Sequence, residues 1–178
     1  MEKQLTDLRA RVEALEPGSE DKLSMVVFSG DLDKLLAALI IATGTCAMGM
    51  KSKVFFTFWA TAALRDPQKS VRGKNFMSRM FGFMLPKGTG KVKLSQMNMG
   101  GMGTAMLKNL MKKKNVASLE EMIQMAAQLG VEFCICDMSM DLMGMKHEEF
   151  IDYPHLEFCG VASFLAEARS SKIQLFIS

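Results

Sequence analysis

The chain has 178 residues, 49% of them hydrophobic and 23% charged, with 14 Gly and 4 Pro. That length and balance fit one domain able to bury its own core, and they exclude collagen-like, low-complexity and wholly disordered classes. The net charge of +3 hides a sharp asymmetry: residues 65–114 carry 12 Lys and Arg against the single acid Asp66, and the rest carries 10 against 18. A basic segment on an acidic body attracts an anion, such as an acidic partner face, an anionic substrate or, as a peripheral contact, a membrane surface.

The first residues, MEKQLTDLRARVEALE, are polar and do not read as a secretory leader. Four cysteines are too few for a disulfide scaffold, so a cytoplasmic protein with reduced thiols is expected. Leu5, Leu8, Val12 and Leu15 form an apolar stripe that predicts an amphipathic helix over residues 1–18, ended by Pro17 and Gly18. Two heptads do not make a stable isolated coiled coil, so this helix is expected to contact a second subunit.

Residues 19–178 read as one α/β domain. A buried strand over 23–29 runs into the turn at Gly30 and Asp31, then into an apolar helix with Asp31 or Asp33 as its cap or first-turn acid. The apolar run over 35–50 is shorter than the ~20 residues a membrane span needs, and it reads as a buried crossover helix. A second strand over 53–59 completes a β-α-β unit, which implies parallel pairing.

The basic segment follows, with Met-rich helical or loop pieces over 76–85 and 94–111. Ser118 and Glu121 have capping-box spacing, and Gly130 stops the helix they open. A third strand over 131–136, a turn or helix beyond it, a helix over 160–170 and a final strand over 172–178 close the chain. The residues thus predict an α/β fold of at least four strands, mostly parallel, with helices on both faces.

Ligands of open parallel sheets collect beyond the carboxyl ends of the strands. Ser29, Gly30 and Asp31 are placed there, as are Phe58 and Trp59, and Cys136 with the residues after it. Cys136 is the one nucleophile among them at a strand's last residue, where a following helix and the basic segment would favour a thiolate. A thiol that works this way must be reachable at the sheet's rim. The competing reading is an inert buried cysteine. Cys134 and Cys136 lie two apart on one strand, where a mutual disulfide would be strained.

Several other motifs fail on their details. Pro86, Lys87, Gly88, Thr89, Gly90 and Lys91 contain the Gly-Lys of a phosphate loop, but Val92 stands where the Ser or Thr belongs and Leu85 where the first glycine belongs. Cys134, Cys136, His147 and His155 match no standard zinc spacing, so no metal and no cofactor are expected. The basic segment carries no recognised nucleic-acid reader motif.

SGDLDK from Ser29, AMGMKSKVFFTFWA from Ala47 and LPKGTGKVKLSQMNMGGMGTAMLK from Leu85 together have a familiar pattern. With SLEEMIQMAAQLGVEFCICDMSMDLMG from Ser118, they resemble the DsrE/DsrF-like superfamily, specifically its second DsrE-like family, described as sulfurtransferases and loosely as peroxiredoxin-like. The resemblance implies a three-layer, flavodoxin-like fold, a homo-oligomer, and a cysteine that carries sulfane sulfur as a persulfide.

The family's cysteine stands just before the x-M-S-M-D-x-M-G motif, which falls on Cys136. The resemblance also implies a pocket around it from Thr57, Phe58, Trp59, Asn98, Met99, Met138 and Ser139. Cys134 is off the family pattern and is a candidate second thiol. Rhodanese-like and TusA-like sulfur carriers would be the partners. Two alternatives stand beside this: a thiol peroxidase or disulfide reductase using Cys136 with Cys134, and a nucleotide- or coenzyme A-binding module without catalysis.

Overall fold

The structure, a computed structural model, describes residues 19–69 and 85–178. Five strands form one parallel sheet: β1 (Glu20–Val27), β2 (Lys51–Phe56), β3 (Glu132–Cys136), β4 (Leu156–Cys159) and β5 (Ser171–Ile177). Their order is β4-β3-β2-β1-β5. The helices are α1 (Leu32–Ala47), α2 (Met102–Lys113), α3 (Leu119–Gln128), α4 (Asp137–Leu142) and α5 (Val161–Ala168). The chain therefore steps from β1 to β4 in one direction, then returns across the whole sheet to set β5 beside β1. The layering is α/β/α and flavodoxin-like, as expected. The expected N-terminal helix over 1–18 and all but Leu85 of the 76–85 piece lie outside the described residues.

Side chains alternate between the faces of a strand, and the two faces here are unequal. Leu23, Met25, Val27, Val54, Phe56, Phe133 and Ile135 point to one side and meet Leu35, Leu39 and Ala42 of α1 and Leu119, Met122 and Ala126 of α3. This is the main core. The opposite face carries a small cluster in which Phe55, Cys134 and Cys136 lie under Phe164 and Ala168 of α5. Phe55 and Phe164 stack with centroids 4.7 Å apart.

Toward the amino ends of the strands this second face is charged. Lys53, only 2% exposed, reaches Glu157 and Glu167 at 2.5 Å each and Glu132 at 3.8 Å. Glu167, on α5, also takes Lys22 at 2.8 Å. Burial disfavours the Lys53 cation, but its bonds to Glu157 and Glu167 outweigh this and raise its pKa above the usual lysine value. Bonds from Lys22 and Lys53 hold the Glu167 carboxyl below its usual range.

Local signals explain the elements. Ser118 Oγ accepts from the Glu121 amide at 3.2 Å, and the Glu121 carboxylate accepts from the Ser118 amide at 2.7 Å, so the predicted capping box opens α3. Asp31 is the N-cap of α1 without a side-chain cap bond, and Asp33 sits in its first turn. Asp33 instead accepts from the amide and hydroxyl of Ser95, which ties the basic segment to the start of α1. No helix among the described residues is long and apolar enough to cross a membrane.

Five strands meet the expectation of at least four; the additional strand, β4, is four residues long and ends at Cys159. The expectation of reduced thiols needs correction: Cys134 and Cys159 form a disulfide with Cα atoms 6.1 Å apart. Cys134 is therefore bonded across to the neighbouring strand rather than standing free beside Cys136.

Candidate functional site

The carboxyl ends of β1 and β2 open into a cleft of about 610 Å³ lined by Ser29, Gly30, Asp31, Trp59, Leu85, Pro86, Lys91 and Lys93. The loops after the two strands touch here. The Thr57 amide donates to the Val27 carbonyl at 3.0 Å, and the Ala60 amide to the Phe28 carbonyl at 3.2 Å. Gly30 makes that approach feasible, because a Cβ on it would stand 2.5 Å from the Trp59 carbonyl oxygen. Ser29 Oγ donates to Asp31 at 2.8 Å. Lys91 and Lys93 come from the basic segment, held in place where the Leu32 amide donates to the Lys93 carbonyl at 2.8 Å. Of the residues that the sequence puts at the carboxyl ends of the strands, Ser29, Gly30, Asp31 and Trp59 line this cleft together, and Phe58 is not in its lining. The lining does not include Cys136.

Cys136 is the last residue of β3 and the N-cap of α4, with extended backbone angles. It is a free thiol, as is Cys46. Its side chain is 2% exposed, packed with Phe55, Cys134, Phe164 and Ala168. The requirement that this thiol be reachable is thus not met in the conformation seen: α5 covers it. Cys46, at the end of α1, has its thiol pKa pushed up by burial and by the Glu132 carboxylate, the reverse of what a nucleophile needs.

The other expected pocket residues are dispersed. Thr57 and Ser139 meet in a buried hydroxyl pair at 2.8 Å, tying the end of β2 to α4. Phe58 adopts a positive φ of 47° and packs against Phe28, with ring centroids 5.0 Å apart and the planes tilted by 35°. Trp59 is half exposed and lines the cleft. Asn98 accepts from Thr104 Oγ1 at 2.8 Å and shapes the turn before α2. Met99 and Met138 are exposed. Of the Met-rich composition, Met111, Met122, Met140, Met143 and Met145 fill the main core, while Met97, Met99, Met102 and Met106 face outward.

Sequence reasoning gave Cys159 no role, placing it before Gly160 at a loop or strand end. Register pairs Cys136 with Cys159 and Cys134 with Glu157, so three cysteines share one patch of the second face. A carboxylate oxygen of Glu157 lies within 4.8 Å of the Cys134 and Cys159 sulfurs. These three side chains could form a metal donor set, but the closed disulfide occupies two of them. The histidines considered for zinc are placed otherwise: His147 stacks on Phe158 at 3.8 Å and pairs with Asp137 at 3.4 Å.

A parallel five-stranded sheet with three cysteines clustered on β3 and β4, and Lys91 and Lys93 of the basic segment lining the cleft beyond β1 and β2, defines a thiol-bearing α/β protein. The family model described as DsrE/DsrF/DrsH-like matches residues 19–176, and the chain belongs to that family. It is 44% identical over 156 residues to the uncharacterized protein YrkE of Bacillus subtilis, covering 88% of this chain and 96% of that one. It is 34% identical over 163 residues to the sulfur carrier protein DsrE2 of Allochromatium vinosum, covering 89% and 99%. Among solved structures, YchN of E. coli shares the fold at a TM-score of 0.54 and 13% identity, covering 88% of this chain and 98% of that one.

Proposed function

We propose that this protein is a sulfur carrier that holds sulfane sulfur as a persulfide on Cys136 and passes it to a partner thiol. The observation that carries the reading is the position of Cys136. It is a free thiol at the carboxyl edge of a parallel strand, where ligands of such sheets gather, in a chain 34% identical to a protein named as a sulfur carrier. Cys46, the other free thiol among the described residues, is disfavoured by its raised pKa.

Transfer needs no metal. A thiolate takes the outer sulfur of a donor persulfide or thiosulfonate, and a second thiolate later removes it. Burial under α5 shields a loaded persulfide from water and stray thiols, so loading and unloading go through displacement of α5 from the sheet. Acceptors would be other sulfur-carrier proteins, of the rhodanese-like or TusA-like kind, with Lys91 and Lys93 attracting an acidic face. The exposed apolar side chains of β5, Ile173, Leu175 and Phe176, support the expectation of a homo-oligomer built over this edge.

Incubation with thiosulfate or a persulfide donor, followed by intact-mass measurement, tests the assignment. A gain of about 32 Da that disappears in Cys136→Ser supports it, and an adduct that persists in that variant refutes it.

A further inference from the structure

The carrier reading leaves two of the three clustered cysteines without a task. Cys159 is the geometric pivot among them. It pairs in register with Cys136, and neighbouring strands run about 4.8 Å apart, inside the Cα range a disulfide accepts. It is also bonded to Cys134 at a Cα distance of 6.1 Å. Cys134 and Cys136 are two steps apart on one strand, about 6.6 Å, with parallel side-chain directions that suit a mutual bond poorly. All three belong to the same packed cluster under α5.

We propose that Cys159 is a resolving thiol that reduces a Cys136 persulfide to hydrosulfide whenever the Cys134–Cys159 bond is open, giving the protein a sulfane-sulfur reductase activity. The inference rests on the carrier reading. The Cys159 thiolate attacks the inner sulfur of the Cys136 persulfide, a Cys136–Cys159 bond forms, and the terminal sulfur leaves with the bonding pair as hydrosulfide. The Cys134 thiolate then attacks Cys159 Sγ, and Cys136 leaves as a thiolate. The sulfane sulfur has gained two electrons, Cys134 and Cys159 have each given one, and the protons of those two thiols pass to hydrosulfide and to Cys136.

The product of this sequence has a Cys134–Cys159 disulfide and a free Cys136, the arrangement the structure holds. A second turnover requires an external dithiol to reopen the bond. With the bond closed, Cys159 cannot attack and the persulfide is retained. The oxidation state of one disulfide therefore separates carrying from release.

The test uses the full chain with Cys46→Ser, in a diamide-oxidised form and in a phosphine-reduced form freed of reductant. Each is loaded with glutathione persulfide, desalted, and followed by intact mass and sulfide assay. The oxidised form is expected to keep its adduct. The reduced form is expected to lose it with one sulfide released per disulfide gained. In reduced Cys159→Ser the adduct should last about tenfold longer or more. Reduced Cys134→Ser should still release sulfide and stop at a Cys136–Cys159 bond. Equal adduct lifetimes in the reduced parent and Cys159→Ser would overturn the inference while leaving the carrier reading intact. Absence of any adduct on Cys136 in both forms removes both.

Discussion

Access to Cys136 is governed by α5, and Phe164 is the side chain that seals it. Phe164 is 3% exposed and stacked on Phe55, and with Ala168 it makes the apolar contact of α5 with the thiol cluster. Phe164→Ala removes the stacked ring and leaves a hole beneath the helix. Phe-to-Ala changes in cores cost about 3–5 kcal/mol. Part of that is recovered where a short surface helix settles, and the ion pairs of Glu167 still hold the end of α5, so about 3 kcal/mol of docking free energy is a reasonable loss. At about 1.4 kcal/mol per decade, the population with α5 lifted then rises roughly 100-fold.

When opening and closing are fast, the alkylation rate of a buried thiol follows that population. The assay is iodoacetamide labelling of Cys136 by intact mass, in a Cys46→Ser background and without reductant, so that Cys134 and Cys159 stay paired. Leu39→Ala, on the core-facing side of α1, serves as a control that lowers overall stability without touching α5. Labelling should accelerate about 100-fold in Phe164→Ala and far less in the control. An acceleration of less than about threefold, or parent protein that labels as fast as a small free thiol, would refute α5 as the cover.

Lys53→Met leaves Glu157 and Glu167 without their buried cation. Breaking a fully buried pair costs about 3–5 kcal/mol, but these carboxylates are nearly half exposed and can rehydrate, so about 2 kcal/mol is expected, or roughly 4–8 °C in Tm by thermal unfolding. The pH signature follows from the signs. The depressed Glu167 pKa contributes stability that is present above the unfolded carboxylate value near 4.3 and is lost as pH falls through the folded value. The raised Lys53 pKa contributes stability that is present below about 10.4 and is lost as pH rises through the folded value. Lys53→Met should flatten both edges of the stability profile, and an unchanged acid edge would contradict the network. Ser118→Ala removes the hydroxyl acceptor of the α3 capping box and should cost about 1 kcal/mol in urea unfolding, with the m-value unchanged.

The elements legible in the sequence are those with a strong local signal. The strands around Met25, Phe55 and Ile135 carry continuous apolar runs toward their carboxyl ends, as strands of a parallel sheet covered on both faces do. Ser118 with Glu121 announced α3. β4 has no comparable signal: Leu156, Glu157, Phe158 and Cys159 are too few to show a period, and Glu157 is held by Lys53 through a contact between distant segments. Without β4 there is no register to bring Cys159 beside β3, so the Cys134–Cys159 disulfide is not legible in the sequence. The position of Cys136 at the end of β3 could be read from the chain. Its burial is only one of two readings the sequence leaves open, because the covering ring comes from Phe164, 28 residues later, across a connection whose path depends on the strand order.

On the carrier reading, the two faces of the sheet divide the work between stability and chemistry. The face under α1 and α3 holds most of the apolar burial. The second face is covered differently at its two ends. Glu167 binds α5 to Lys22 and Lys53 near the amino ends of the strands, and Phe164 holds it by apolar contact over the thiols. These attachments respond to different agents. Ion pairs that are partly exposed weaken with salt, whereas the stacking of Phe164 on Phe55 yields to an apolar surface that competes for the ring. An acceptor protein presenting such a surface beside its own thiol would lift the helix at the sulfur end while the charged end still holds. Sulfur would then be uncovered only where a recipient is already docked.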